Sequence, residues 1–353
     1  MRVALVAMET AHHRDTRAAR RFDRIARQLA ADGHDVTVFC AQWWSADATV
    51  RVVDGVRYHG VTLGRAITSF CTRLPVLLGR YRPDVVHARA APPAQVLAAS
   101  AGASLGRAPL VVEWFGDEGL DPEARLTRWA VREPGLVLTP AELVRTEVRE
   151  LGATEDDTRV VPESIDFDQV EAVEPGEPAD VVFAGRLGEK ADVEDLLLGL
   201  AELRDRGWRA TIVGDGPHRE DYERQAAELR IDDRVRFAGA CDREKRIATY
   251  RAAHAFVQTA SREVFATELL WGLACGCVGI VEYQARSSAH ELIEGYERSF
   301  RVTDRQELAD AIVAAGDYER LDVDDSWASY DHEAVRERYL DAYDDLRAGF
   351  GWR

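Results

Sequence analysis

Lysine is almost missing from this chain of 353 residues: Lys190 and Lys245 are the only two, and arginine supplies the rest of the 45 basic residues. Against 62 acidic residues this leaves a formal net charge of -17. Binding to a phosphate backbone needs a basic surface, so nucleic acid is excluded as the expected partner. An acidic, lysine-poor composition also predicts a halophilic protein, soluble in concentrated salt where screening blunts self-repulsion. Long apolar runs are missing too, since none reaches the roughly 18 to 20 residues that cross a bilayer. The opening MRVALVAMET reads as a short strand and lacks the build of a signal peptide. The expectation is a cytoplasmic enzyme, with any membrane contact peripheral and at the inner face; the basic cluster Arg73, Arg80 and Arg82 favours an anionic membrane surface for such a contact. Five cysteines, Cys40, Cys71, Cys241, Cys275 and Cys277, include no CxxC pair, which argues against both a zinc site and a disulfide framework.

What is present is an alternation of short apolar strands and amphipathic helices, long enough for two domains with separate cores. Arg2 to Ala7 predicts a strand, and Ala18, Phe22, Ile25, Ala26, Leu29 and Ala30 recur at helical spacing until Gly33 ends the helix. Asp35 to Phe39 is the next strand, and residues 50 to 63 predict a hairpin. Ala66 to Tyr81 and Pro93 to Leu105 read as helices, with strands Pro83 to Ala88 and Leu110 to Glu113 after them. A proline- and glycine-bearing linker, Glu171 to Asp180, divides the chain.

The segment from 255 to 291 carries the densest chemistry. An apolar strand ending at Val257 meets a polar turn, an apolar helix from Thr267 that stops at Gly276, and a second strand, Val278 to Val281. In a parallel sheet the ligand gathers at the carboxyl ends of such strands, and the first helical amides face an anion. Glu263 stands on that turn, just before the helix. Upstream, the strand from Val181 enters a turn with Gly185, Arg186 and Lys190. A guanidinium fork and an ammonium suit the charge of a diphosphate. Gly214-Asp215-Gly216-Pro217 forms a second glycine-bearing turn after a strand, its glycines permitting close backbone approach.

These words resemble those of the family 4 retaining glycosyltransferases, the glycosyl transferases group 1. The motif is Ser261, Glu263 and Phe265, with Ala266 in a glycine's place; eight residues after Glu263, where the family has a second Glu that binds the donor's ribose, stands Trp271, with Glu268 one helical turn earlier. The resemblance implies an α/β chain of the GT-B class, two Rossmann-like domains facing across a cleft. It implies an acceptor-binding domain over 1-172, a nucleotide-sugar domain over 178-325 and a C-terminal helix over 326-353 returning to the first. Arg186, Lys190 and Glu263 take the catalytic roles by this likeness, although the Arg186 to Lys190 spacing is one residue shorter than the family's. Donor binding falls to Gly185, Gly214, Asp215, Gly216, Phe237, Gly239, Phe265, Ala266, Thr267, Glu268, Trp271 and Glu291. Acceptor binding falls to His12 and His13 of a first loop without the family's glycine pair, and to Asp117. Asp117 and Glu118 are the nearest substitutes for a family histidine whose place Phe115 takes.

The implied reaction moves a sugar from a nucleoside diphosphate sugar to a hydroxyl of a glycan, lipid-linked or small-molecule acceptor, with retention, without metal and without a cofactor. A nucleotide-sugar binding protein and a GT-B sugar-nucleotide epimerase are the other readings.

Overall fold

The computed structural model describes residues 1–45 and 48–350 of the chain. It divides into two compact units: Met1–Pro162 together with the chain from Val335 onward, and Glu163–Ala334. The chain thus leaves the first unit at Pro162 and not at 172, and it returns at Val335 and not at 326. The cause is a pairing between distant segments: Ile165 bridges Asp331 in parallel, and the Ile165 amide donates to the Tyr330 carbonyl at 3.0 Å, so both segments belong to the second unit. Residues 351–353, part of the expected returning segment, lie outside the described residues.

The first unit is built on an eight-stranded sheet. In chain order its elements are β1 (Arg2–Val6), α1 (Arg17–Ala31), β2 (Asp35–Ala41), β3 (Val50–Val53), β4 (Val56–Thr62), α2 (Ile67–Tyr81), β5 (Val85–Arg89), α3 (Pro93–Gly106), β6 (Leu110–Glu113), α4 (Arg125–Arg132), β7 (Leu136–Thr139), α5 (Glu142–Glu150) and β8 (Thr158–Val160). Strand order is β3-β4-β2-β1-β5-β6-β7-β8, with every pairing parallel except β3 with β4. That hairpin turns on Asp54 and Gly55, both at positive φ, the backbone that a two-residue hairpin turn demands. The Thr16 hydroxyl caps α1 by accepting from the Ala19 amide, and Phe22, Ile25, Ala26 and Leu29 bury one face of that helix. The same core takes Val335, Tyr339, Ala342 and Tyr343 from α13 (His332–Phe350), so the last helix completes the first unit.

The second unit opens with α6 (Phe167–Ala172) and then β9 (Ala179–Ala184), α7 (Val193–Glu202), β10 (Ala210–Val213), α8 (Arg219–Glu228), β11 (Val235–Gly239), α9 (Arg243–Ala252), β12 (Ala253–Gln258), β13 (Arg262–Glu263), α10 (Thr267–Ala274), β14 (Val278–Glu282), β15 (Arg286–Ser287), α11 (Ala289–Ile293), β16 (Ser299–Val302) and α12 (Arg305–Ala315). Six strands form a wholly parallel sheet in the order β11-β10-β9-β12-β14-β16, and β13 with β15 makes a separate parallel pair. Helices on both faces bury the strands, which is why β9, β12 and β14 read as near-continuous apolar runs. The helices α4, α6, α9, α11 and α12 are additions to the sequence-based expectation. Among the described residues no helix is long and apolar enough to cross a membrane, and the five cysteines are free, with Cys40, Cys275 and Cys277 buried and the other two half-buried.

Candidate functional site

The carboxyl ends of β9, β10 and β12 in the second unit bring most of the expected donor-side residues together. Gly185 follows β9, and its amide donates to the Val213 carbonyl at 3.0 Å. The Leu187 amide donates to the Asp215 carbonyl at 3.0 Å, and His218 donates to the Leu187 carbonyl at 3.0 Å. The turns after β9 and β10 are therefore laced backbone to backbone. Gly214 has φ +133, and a Cβ there would collide with the Gly185 carbonyl; a Cβ on Gly216 would collide with that of Leu187. The glycines are needed for loop against loop.

This lacing presents Arg186 and Lys190 outward. Both side chains are exposed, and neither has a hydrogen bond or ion pair with any described residue. The backbone beneath them is fixed: the Lys190 carbonyl accepts from the Ser261 amide at 3.0 Å, and the Thr259 hydroxyl donates to the Ala191 carbonyl at 3.0 Å. The cationic turn and the turn carrying Glu263 are thus one structure. Glu263, half-buried, lies on β13 opposite Ser287 of β15, and its carbonyl accepts from the Ser288 amide at 2.8 Å. Ser288 also donates its hydroxyl to the Val264 carbonyl at 2.9 Å, which draws the start of α11, and with it Glu291, to the same turn.

Within α10 the expectations change. No side chain caps the helix start at Ala266, but the Thr267 amide already donates to the Phe265 carbonyl at 2.9 Å, so that amide is engaged. Phe265 and Ala266 are buried. Glu268 is engaged by its own unit: one oxygen lies 2.7 Å from Arg246, and the other lies 3.0 Å from Arg243 and accepts from Tyr250 at 2.7 Å. Burial would raise its pKa, but Arg243, Tyr250 and Arg246 outweigh that and hold it low. Trp271 is buried beneath the Arg243 guanidinium, 4.7 Å from the ring centre. Neither residue thus offers an available carboxylate in place of the family's second Glu. The pairing partners all come from α9, whose charged sequence hid it from periodicity. Phe237 is half-buried on β11, where its carbonyl accepts from Arg219 at 3.4 Å, and Gly239 follows at φ +73.

A carboxylate that the sequence did not single out ends β14. Glu282 is 7% exposed, and one of its oxygens has no hydrogen-bond partner among the described residues. Burial, followed by the carboxylates of Asp195 and Asp192 at the start of α7, pushes its pKa up to about 7. Its only signal in the sequence was an acidic residue at the carboxyl end of an apolar strand.

In the first unit, the loops after β1 and β6 stand at the carboxyl edge of the sheet. His12 stacks on Trp43 with ring centres 4.0 Å apart. His13 turns inward: its Nδ1 accepts from the Thr10 amide at 3.1 Å, and burial lowers its pKa. Asp117 is exposed, whereas Glu118 caps the amides of Phe115 and Gly116 at 2.7 and 2.8 Å. Glu118 is a loop brace, which removes it as a substitute for the missing histidine. His87 is fully buried, 3.1 Å from Glu113 and 2.7 Å from the Tyr343 hydroxyl, and so belongs to the core.

The carboxyl-terminal region matches the family model described as glycosyl transferases group 1 over residues 164–319, and the amino-terminal region matches that described as Glycosyltransferase Family 4 over residues 18–169. A 2-deoxystreptamine glucosyltransferase from Streptomyces kanamyceticus is 34% identical over 128 residues, a match that spans 32% of this chain and only 33% of that enzyme. Glycogen synthase from Mycobacterium tuberculosis is 26% identical over 297 residues, covering 73% of this chain and 72% of that one. The solved structure of Anabaena Alr3699/HepE in complex with UDP aligns with a TM-score of 0.75 at 16% identity, over 98% of this chain and 100% of the other. Two parallel-sheet units with a laced cationic turn, and two family models that each take one of those units, place this chain in glycosyltransferase family 4 with the GT-B fold.

Proposed function

We propose that this chain transfers a sugar from a nucleoside diphosphate sugar to a hydroxyl acceptor, with retained configuration and without a metal. The observation that carries the reading is the pair Arg186 and Lys190: in a chain with 62 acidic residues, these two cations stand exposed on a fixed turn with no carboxylate partner among the described residues. A guanidinium and an ammonium held there neutralise a leaving diphosphate as its bond to the sugar breaks. Glu263, on the adjoining turn, is assigned to the donor sugar's hydroxyls. The UDP complex of a protein with the same fold supports a nucleotide in this role. The first unit is assigned to the acceptor, with His12 and Asp117 at its carboxyl edge.

The deciding experiment incubates the protein with a panel of UDP-, GDP- and ADP-sugars in dilute and in molar salt. Diphosphate release that depends on an added acceptor supports the transferase. A changed sugar instead marks an epimerase, and a thermal shift with neither product marks a binding protein. No shift with any donor at either salt overturns the reading.

A further inference from the structure

We propose that the outer surface of α2, α3 and α4 docks on a lipid bilayer bearing anionic headgroups, a partner independent of the transfer chemistry. The first observation is charge segregation. Across α2, α3 and α4 with the residues that cap them, the chain has seven arginines, Arg73, Arg80, Arg82, Arg107, Arg125, Arg128 and Arg132, and one acidic residue, Glu133, although the whole carries -17. The three helices form one layer, since α3 packs against both α2 and α4. On α2, Phe70, Leu74 and Leu78 are buried, while Arg73, Val76 and Arg80 fall at i, i+3 and i+7 on the opposite, exposed face. Leu105 of α3 packs directly on Gly79, and a Cβ on Gly106 would lie 4.0 Å from the Arg82 Cα, so the carboxyl ends of the two helices make a single patch. Both helices end on an arginine in the left-handed region, Arg82 at φ 50 and Arg107 at φ 58, where glycine would be unstrained. The side chains of Arg80, Arg82, Arg107 and Arg125 make no hydrogen bond or ion pair with described residues.

The second observation is apolar. Val76, Leu105, Leu126 and Trp129 are 49%, 63%, 52% and 46% exposed, and with Ile67 at the start of α2 they make five of the ten large exposed apolar side chains of the described chain. On α4, Thr127, Ala130 and Val131 face inward while Leu126 and Trp129 face out between Arg125, Arg128 and Arg132. A tryptophan and leucines among arginines suit the boundary between headgroups and acyl chains. A soluble polyanion would use the arginines and leave the apolar side chains in water. A second copy of this face would set arginine against arginine.

The test is flotation of the whole protein with phosphatidylcholine vesicles, with and without phosphatidylglycerol. The parent is compared with an Arg80→Glu, Arg107→Glu double variant and with Trp129→Ser, all checked for unchanged melting temperature. The parent is expected to float with the anionic vesicles and not with the neutral ones. The double variant should lose more than about tenfold in binding, because each basic residue near such a surface contributes about a fivefold effect. Trp129→Ser should weaken binding at unchanged charge. Equal flotation with neutral vesicles, or both variants binding like the parent, overturns the proposal. So does competition by soluble glycerol phosphate at matched ionic strength, which would mark a headgroup pocket. Self-association that Trp129→Ser abolishes, without lipid binding, overturns it in favour of a second copy.

Discussion

Arg21 Nε stands 2.6 Å from Glu113 Oε1, with both side chains buried in the first unit. The same guanidinium donates to the carbonyls of Pro162 and Val161 at 2.8 and 2.6 Å, and the Tyr339 hydroxyl lies 3.1 Å from both Glu113 oxygens. One carboxylate therefore joins α1, the last residues before the chain leaves this unit, and the helix that returns to it. Burial alone would raise the pKa of Glu113, but Arg21 and His87 hold it at about 2 against an ordinary 4.5. Its stabilisation is thus present above pH 4.5 and is lost as the pH falls towards 2. Glu113→Gln leaves a buried guanidinium without its counter-charge and is expected to cost about 3 to 5 kcal/mol in denaturant unfolding at neutral pH. Removing Arg21 as well, as Arg21→Met, should return part of that loss.

Arg186→Ala is expected to lower turnover by about 10² to 10³, the usual loss when one preorganised donor to a developing anion is removed. Because its side chain makes no hydrogen bond or ion pair with a described residue, the melting temperature without ligand should hardly move. Near-normal turnover in this variant would take Arg186 out of the mechanism.

The two glutamates of the 255 to 291 segment should separate cleanly. Glu263→Gln is expected to act mainly on donor binding and turnover. Glu268→Gln removes the charge that pairs Arg243 and Arg246, so its main effect should be on unfolding, by about 1.5 to 3 kcal/mol. Parallel donor titrations and urea melts on both variants check this division.

Glu282 supplies a pH dependence of the opposite sense to Glu113. Its pKa is raised from 4.5 to about 7, so the protein gains from its protonated form below pH 4.5 and loses that gain as the pH rises through about 7. Glu282→Gln keeps the shape and removes the ionisation. The melting temperature of the variant relative to the parent should climb between pH 4.5 and about 7 and then level off.

How much of this was legible in the sequence depends on how local each determinant is. The strands and helices around Phe22 to Leu29 and Val278 to Val281 follow from apolar spacing over a few residues, and they stand where the spacing put them. Arg186 and Lys190 were readable because a lysine is rare in this chain and both sit on a glycine-bearing turn after a strand. The fate of Glu268 was not readable, because it is decided by Arg243, Arg246 and Tyr250 on a helix that precedes it by about 20 residues. The unit boundary was missed for a similar reason. Proline and glycine near 175 mark a loop, but the division itself rests on Ile165 meeting Asp331, a contact that leaves no trace in either stretch alone. Gly214 and Gly216 stand out by motif, whereas the loop backbone that each of them packs against is visible only in three dimensions.

A chain so nearly devoid of lysine carries only three primary amines: its amino terminus, Lys190 and Lys245. Lys190 is exposed on the turn assigned to the diphosphate and has no hydrogen bond or ion pair among the described residues, while Lys245 sits on α9 and the amino terminus lies 3.0 Å from His34. An amine-selective acylating reagent therefore becomes a near-specific footprint of donor occupancy, with two built-in reference positions and no engineered label.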